Sequence, residues 1–178
     1  HVLCEKPMVA TVEDARTLAA IEKQAKRWIM IGYQWCYSKA IQALKADILA
    51  GKLGRPVRFK TLCLWPRDDA YYKRNNWAGK LKDPRGRWVY DSPAGNAMAH
   101  FLHLMFYLGG SEISQSVEPE MVDANLYRVN PIENADTVAL RATTSNDIEV
   151  LFYASHATEH VFNPVFHLEF EKATVRFT

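Results

Sequence analysis

The sequence predicts an α+β fold: an open, mainly antiparallel sheet covered on one face by helices and preceded by a short β-α-β piece. Three observations carry this. The first fifty residues alternate short apolar runs with segments of helical period, as strand-helix-strand units do. From Val57 onward apolar residues recur every second position, the signature of strands with one covered face. One long helix, bracketed by Ser92-Pro93 and Gly109-Gly110, interrupts those strands and supplies a cover for the sheet.

Element by element, Val2-Leu3-Cys4 is a strand that Pro7 ends, because proline has no N–H to give to a ladder. Thr11 is placed as an N-cap with Asp14 three residues on, and Val12, Ala15, Leu18, Ala19 and Ala25 keep helical spacing as far as Lys26-Arg27. Trp28 to Ile31, closed by Gly32, suits a buried parallel strand. Ser38 caps a second helix whose stripe is Ile41, Leu44 and Ile48, and Gly51 ends it. Val57, Phe59, Thr61 and Cys63 then share one strand face, with Arg58 and Lys60 on the other. The same alternation over 121–127, 137–142, 148–155 and 165–170 predicts half-buried antiparallel strands in a meander, with a hairpin turn at Thr144 to Asp147. The stretch from Trp65 to Trp88 reads as a long irregular loop rich in Arg, Asn, Asp, Tyr and Trp, and loops of that length usually serve function.

With 178 residues, 48% hydrophobic and 24% charged, the chain can bury a sizeable core. A net charge of +2 without any Lys/Arg block argues against nucleic acid as a partner, and the longest apolar stretch, Ala97 to Leu108, is too short to cross a bilayer. Cys4, Cys36 and Cys63 form no CxxC pair and read as reduced thiols of a cytoplasmic protein. His1 opens directly on a strand, so the chain is expected to be a fragment.

Asn96, His100, His103 and Tyr107 recur at intervals of four, three and four, which sets them along one face of the long helix. Phe101, Leu102, Met105 and Leu108 make the other face apolar, so the polar stripe must meet a partner, a cavity or a ligand. Tyr72, Arg74, Asn76, Trp77, Asp91 and Asn96 offer the donors, acceptors and aromatic plates that a polyhydroxylated ring needs. His156 and His160 follow a strand, where a spacing of four does not converge, and no metal site is expected.

Glu5-Lys6-Pro7 after a strand, a helix, a second strand leading into Gly32-Tyr33-Gln34, the "GKLGRPV" turn and the helix "AMAHFLHLMFYLGG" occur in an order that resembles the Gfo/Idh/MocA (glucose-fructose oxidoreductase / inositol dehydrogenase) oxidoreductases over the whole chain. The resemblance implies that residues 1–37 are a remnant of an NAD(P)-binding Rossmann domain and 38–178 a C-terminal substrate-binding and oligomerisation domain, incomplete at its end. It implies NAD or NADP as cofactor, met by Glu5, Lys6, Pro7 and Gln34, and homo-oligomers formed through the open sheet face. Lys6 would stand where nicotinamide meets substrate, and His100 would be the acid-base group, these two being the catalytic residues. The family's Asp four residues before that His is Asn96 here, and His103, counted with the substrate-binding residues, stands where a second Asp is common. An Asp would fix the imidazole tautomer, whereas Asn can only orient it; Asp91 is a possible replacement if its loop folds back.

The expected function is hydride transfer between a nicotinamide cofactor and a secondary alcohol of a sugar or polyol. The alternatives are NAD-assisted glycoside cleavage on the same fold and a non-catalytic sugar-binding or oligomerisation module. The chain contains no GxGxxG, so by itself it is expected to bind dinucleotide weakly or not at all.

Overall fold

The structure, a computed structural model, describes residues 1–178. Strands β1 (Val2–Cys4) and β2 (Ile29–Ile31) pair in parallel across helix α1 (Val12–Ala25). The Thr11 hydroxyl accepts from the Asp14 N–H at 3.2 Å and so satisfies one of the helix's free donors. This unit is thinly covered. α1 buries none of its residues, and Leu3 (73% exposed) and Trp28 (70%) stand open, although parallel strands are ordinarily covered on both faces.

A tight turn at Gln34–Tyr37 leads into α2 (Lys39–Leu49), where Ser38 Oγ accepts from the Ile41 N–H at 3.3 Å. Gly51, at φ 69°, turns the chain just past the helix in the left-handed conformation that glycine adopts without strain. The main sheet contains β3 (Pro56–Leu64), β4 (Pro119–Tyr127), β5 (Thr137–Thr144), β6 (Glu149–Ser155), β7 (Phe162–Phe170) and β8 (Thr174–Phe177), in the order β4-β5-β6-β3-β7-β8. Every pairing is antiparallel except that of β3 with β6, so the mixed α+β class and the mainly antiparallel sheet hold.

A simple meander does not. β3 inserts between β6 and β7, parallel to the first, with Phe59 opposite Val150 and Thr61 opposite Phe152. A period of two fixes which face each residue takes but not which strand lies beside it. β4 also departs from the half-buried expectation: all nine of its residues are exposed. It is the edge strand, and neither of its faces is covered. Within the supposedly irregular loop, α3 (Asp69–Lys73) forms because Asp68 Oδ1 accepts from the Tyr71 N–H at 2.9 Å.

The inner face of the sheet is closed by α4 (Ala99–Gly109). Phe101, Leu104, Met105 and Leu108 meet Phe59, Val150, Phe152, Phe166 and Leu168 in one core cluster. Side chains of that size contribute roughly 1.5–3 kcal/mol each when fully buried. The expected single helix from Pro93 is broken in two. Pro93–Ala97 form a π turn capped by Ser92, in which the Met98 N–H donates to Pro93 O at 2.8 Å, and the regular helix begins only at Ala99. Such π turns recur at functional sites because they re-aim side chains. No helix is long and apolar enough to cross a membrane.

Candidate active site

Lys6, just beyond β1, reaches the π turn ninety residues away in sequence. Its Nζ donates to the Asn96 carbonyl oxygen at 2.7 Å and to Asn96 Oδ1 at 2.9 Å. The other end of that amide, Nδ2, donates to Asp91 Oδ1 at 2.6 Å. Asp91 is buried at 6% exposure, and its second oxygen accepts from the Gly79 N–H at 2.7 Å. A left-handed Tyr90 (φ 45°) reverses the chain to bring Asp91 in, and the Asp91 N–H is tied to Lys80 O at 3.0 Å. The carboxylate therefore fixes which way the Asn96 amide points, with its oxygen toward the ammonium. Burial pulls the Lys6 ammonium below its ordinary value, and the charges of Glu5 and Asp91 oppose that pull.

The loop before the π turn does fold back, but its carboxylate goes to Asn96 and not to His100. His100 Nδ1 is buried without a hydrogen-bond partner. Burial, then the positive charge of Lys6, lowers the imidazole's pKa, so at neutral pH the ring is uncharged. Tyr33, which the sequence reading passed over, meets it edge-on at 5.8 Å and stacks flat on His103 at 4.0 Å. His103 Nδ1 is 3.3 Å from Cys36 Sγ, and Tyr107 is bound by the Gln42 amide at 2.8 Å. The polar stripe of α4 thus faces the Tyr33–Gln42 stretch.

Burial pushes His103 from 6.5 down to about 4. Between those values the unfolded chain binds a proton that the folded chain excludes, so stability is full above pH 6.5 and falls as pH drops toward 4. The drop expected from this group is about 3 kcal/mol. Denaturant titrations of wild type and His103→Gln at stepped pH check it: the variant should show the shallower acid slope, and parallel slopes would refute the assignment.

Two cavities meet at the segment that follows Lys6. The smaller, about 550 Å³, is lined by Lys6, Pro7, Asn76, Trp77, Asp91 and Asn96, all anticipated, and also by Asp83, Arg85, Arg87 and Trp88, which were not. The signal for these four was the Asp83-Pro84-Arg85-Gly86-Arg87 run, whose composition marks a tight turn inside the aromatic-rich loop. The larger cavity, about 890 Å³, is mainly apolar and runs between β2 and the start of α1, past Met8, Ile31, Tyr33 and His103. Pro7, Val9 and Ala10 line both.

The remaining expected residues lie apart. Tyr72 lines a separate hollow with Lys73 and Ile132; its hydroxyl is buried and unpartnered, and burial pushes it up to about 12. The Arg74 guanidinium lies 3.5 Å over the Tyr71 ring. Gln34 is exposed, and the exposed Glu5 sets its carboxylate against Gly32, where an added Cβ would sit 3.2 Å from Oε2. His156 is buried with Nδ1 at 2.8 Å from Trp65 O, and no group of three or more His, Cys, Asp or Glu is placed to hold a metal.

Residues 1–33 match the model of a family described as oxidoreductases with an NAD-binding Rossmann fold. An inositol 2-dehydrogenase of Salmonella paratyphi B is 38% identical over 58 residues, 32% of this chain and 17% of that protein. The glucose-6-phosphate 3-dehydrogenase of Bacillus subtilis is 25% identical over 129 residues, 68% of this chain and 33% of that one. Among solved structures, the WlbA dehydrogenase from Bordetella pertussis, in complex with NADH and UDP-GlcNAcA, superposes with a TM-score of 0.81 at 24% identity, covering 99% of this chain and 48% of its own. The apo scyllo-inositol dehydrogenase from Lactobacillus casei superposes at 0.71 with 17% identity, over 99% and 48%. The chain spans about half the length of these solved structures and a third or less of these curated relatives.

Proposed function

We infer that this chain, similar to the Gfo/Idh/MocA oxidoreductases in family match, sequence and fold, is part of an NAD(P)-dependent enzyme that moves a hydride between nicotinamide and a secondary alcohol of a sugar or polyol. The observation that carries this reading is Lys6, pinned by Asn96 at the junction of two cavities.

The residues present fit the nicotinamide end of such a cofactor. The larger cavity lies between the start of α1 and β2 and continues past the carboxyl end of β2, the end at which α/β sheets take their ligands, to Tyr33 and His103, and its walls are mainly apolar. No Gly-rich turn is on hand for a pyrophosphate. Residues 1–37 accordingly belong to a cofactor domain and 38–178 to a substrate domain. The bare faces of β1, β2 and α1 support that division, since such surface needs further layers against it.

The nicotinamide ring, when bound, accepts the hydride. Everything else falls to the chain's own groups. An ammonium has three protons; Asn96 takes two of those of Lys6, and the third is free to meet the substrate hydroxyl. His100, one turn along from Asn96 and uncharged, lies outside the lining of both cavities, and it is the resemblance that assigns it to accept the proton leaving that hydroxyl as the carbon becomes a carbonyl. Asp91 acts through Asn96 as a positioning residue for Lys6.

The open sheet face and the bare edge strand β4, with Met121, Leu126 and Tyr127 exposed, support a homo-oligomer; a full-length protein that sediments as a monomer at high concentration would count against it. For the activity itself, the full-length protein with NAD or NADP and a panel of sugars and polyols should accumulate reduced nicotinamide. Loss of a glycosidic bond without that accumulation would favour the cleavage alternative, and no change with any sugar would remove the redox reading.

A further inference from the structure

We propose that the smaller cavity takes a sugar or polyol bearing a negatively charged substituent, a carboxylate or a phosphate, and that Arg85 selects for it; this deepens the function proposed above and rests on it. Three cations, Lys6, Arg85 and Arg87, line this cavity with two carboxylates, Asp83 and Asp91. Two of the cations are matched. Arg87 holds Asp83 through Nη2 at 2.6 Å and Nε at 2.8 Å, and that pairing keeps the Asp83 carboxyl below its usual range. Asp91 stands behind Asn96 and so faces the ammonium of Lys6.

Arg85 is left over. Only its backbone is engaged, its N–H donating to Asp83 Oδ1 at 2.8 Å, while its guanidinium has neither an ion pair nor a hydrogen bond. The turn that carries it is well built: Asp83 Oδ1 also accepts from the Arg87 N–H at 3.0 Å, and Gly86 supplies the positive φ of 78° that the reversal needs. Asp83 thus neutralises one arginine and, through the same turn, presents the next one without a counterion.

The walls strengthen the effect. Trp77 and Trp88 line the cavity, and Trp88, stacked on Tyr90 at 4.8 Å, carries the Lys82 ammonium 3.9 Å above its ring, a further positive charge beside the site. A guanidinium is matched in shape to the paired oxygens of a carboxylate or phosphate, and the indole faces offer plates against which a sugar ring can lie. The volume, about 550 Å³, lies within the range of small-molecule sites and leaves room for a sugar ring together with a charged substituent.

The test uses full-length wild type, Arg85→Ala and Arg85→Lys with NAD and NADP, and four probes: glucose 6-phosphate, glucuronate, glucose and myo-inositol. Turnover and direct titration of each sugar into the cofactor-loaded protein are measured together. At least one of the two anionic sugars should bind and react better than both neutral ones by about tenfold or more. Which of the two does so separates phosphate from carboxylate. Arg85→Ala should remove that preference mainly through KM, and Arg85→Lys should restore part of it. Equal or better use of the neutral sugars, or an alanine variant that weakens all four alike, overturns the proposal while leaving the hydride-transfer function standing. Calorimetric binding of an anionic sugar that is lost in Arg85→Ala, without any reduced nicotinamide, would uphold the subsite and sink the redox function instead. No binding and no turnover with any probe would overturn both.

Discussion

Replacing Lys6 by Met in the full-length protein is expected to lower kcat by roughly 10²–10⁴-fold, the usual contribution of a positioned proton-handling group. Methionine is one heavy atom shorter, keeps the unbranched apolar stem and removes all three donors, so Asn96 O and Oδ1 lose their partner and the substrate hydroxyl loses its guide. Asp91→Asn should produce a smaller fall in the same direction. An amide there can turn its NH2 toward Asn96, which frees Asn96 to flip and present a donor to the ammonium. Because the Asp91 charge also helps to keep Lys6 protonated, the alkaline limb of the pH–rate profile should move to lower pH in that variant. A merely structural Asp91 would lower activity at every pH alike. Wild-type kcat in Lys6→Met would remove Lys6 from the mechanism.

The second large effect concerns stability. Lys45, on α2, is fully buried at 0% exposure, and its ammonium donates to the carbonyl oxygens of Tyr107, Gly110 (2.6 Å) and Gln115 (3.3 Å). These lie at and beyond the C-terminus of α4, where the helix leaves carbonyls unpaired and its dipole is negative. Burial pushes the Lys45 pKa down to about 8, so the charge is costly there and is retained by those three acceptors. Lys45→Met keeps the volume but strands the carbonyls, and a loss of about 2–4 kcal/mol is expected. Chemical denaturation of the full-length variant measures it. A change below about 0.5 kcal/mol, the scale of ordinary surface substitutions, would show that water replaces the ammonium without cost.

Lys45 is only half legible in the sequence. It falls four residues after Ile41 and three before Ile48, inside the same stripe that marks the buried face of α2. A lysine there reads as a solvated neighbour of Leu44 unless its partners are known, and those partners lie more than sixty residues away. The caps at Thr11 and Ser38, the turn at Gly51 and the covered face of β3 at Phe59, Thr61 and Cys63 were legible, because each depends on residues within one helical turn or one strand; Val57, expected on that face, is exposed where the register shifts. The position of β3 beside β6, the bareness of β4 and the π turn at Pro93–Ala97 were not, because each is decided by tertiary packing.

The candidate site divides in the same way. The stripe Asn96, His100, His103 and Tyr107 does face other polar groups, as its spacing required. Its partners were out of reach. Asp91 was a replacement carboxylate for His100 on condition that its loop fold back, yet the folded loop gives that carboxylate to Asn96 in the π turn and so to Lys6. Trp77 and Asn76 line the cavity beside Lys6, whereas Tyr72 lines a separate hollow and Arg74 lies outside the lining, its guanidinium between the Tyr71 and Trp77 rings, since α3 turns consecutive side chains in different directions.

The measurement closest to the central claim follows the transferred atom itself. Full-length protein is incubated with NAD or NADP and a sugar substrate in which every carbon-bound hydrogen is deuterium, and the reduced nicotinamide is isolated. Deuterium at the nicotinamide ring carbon that receives the hydride, in wild type and at a much reduced rate in Lys6→Met and His100→Ala, is the predicted result. Reduced cofactor without the label, or label lost to water in its place, would contradict hydride transfer at this site.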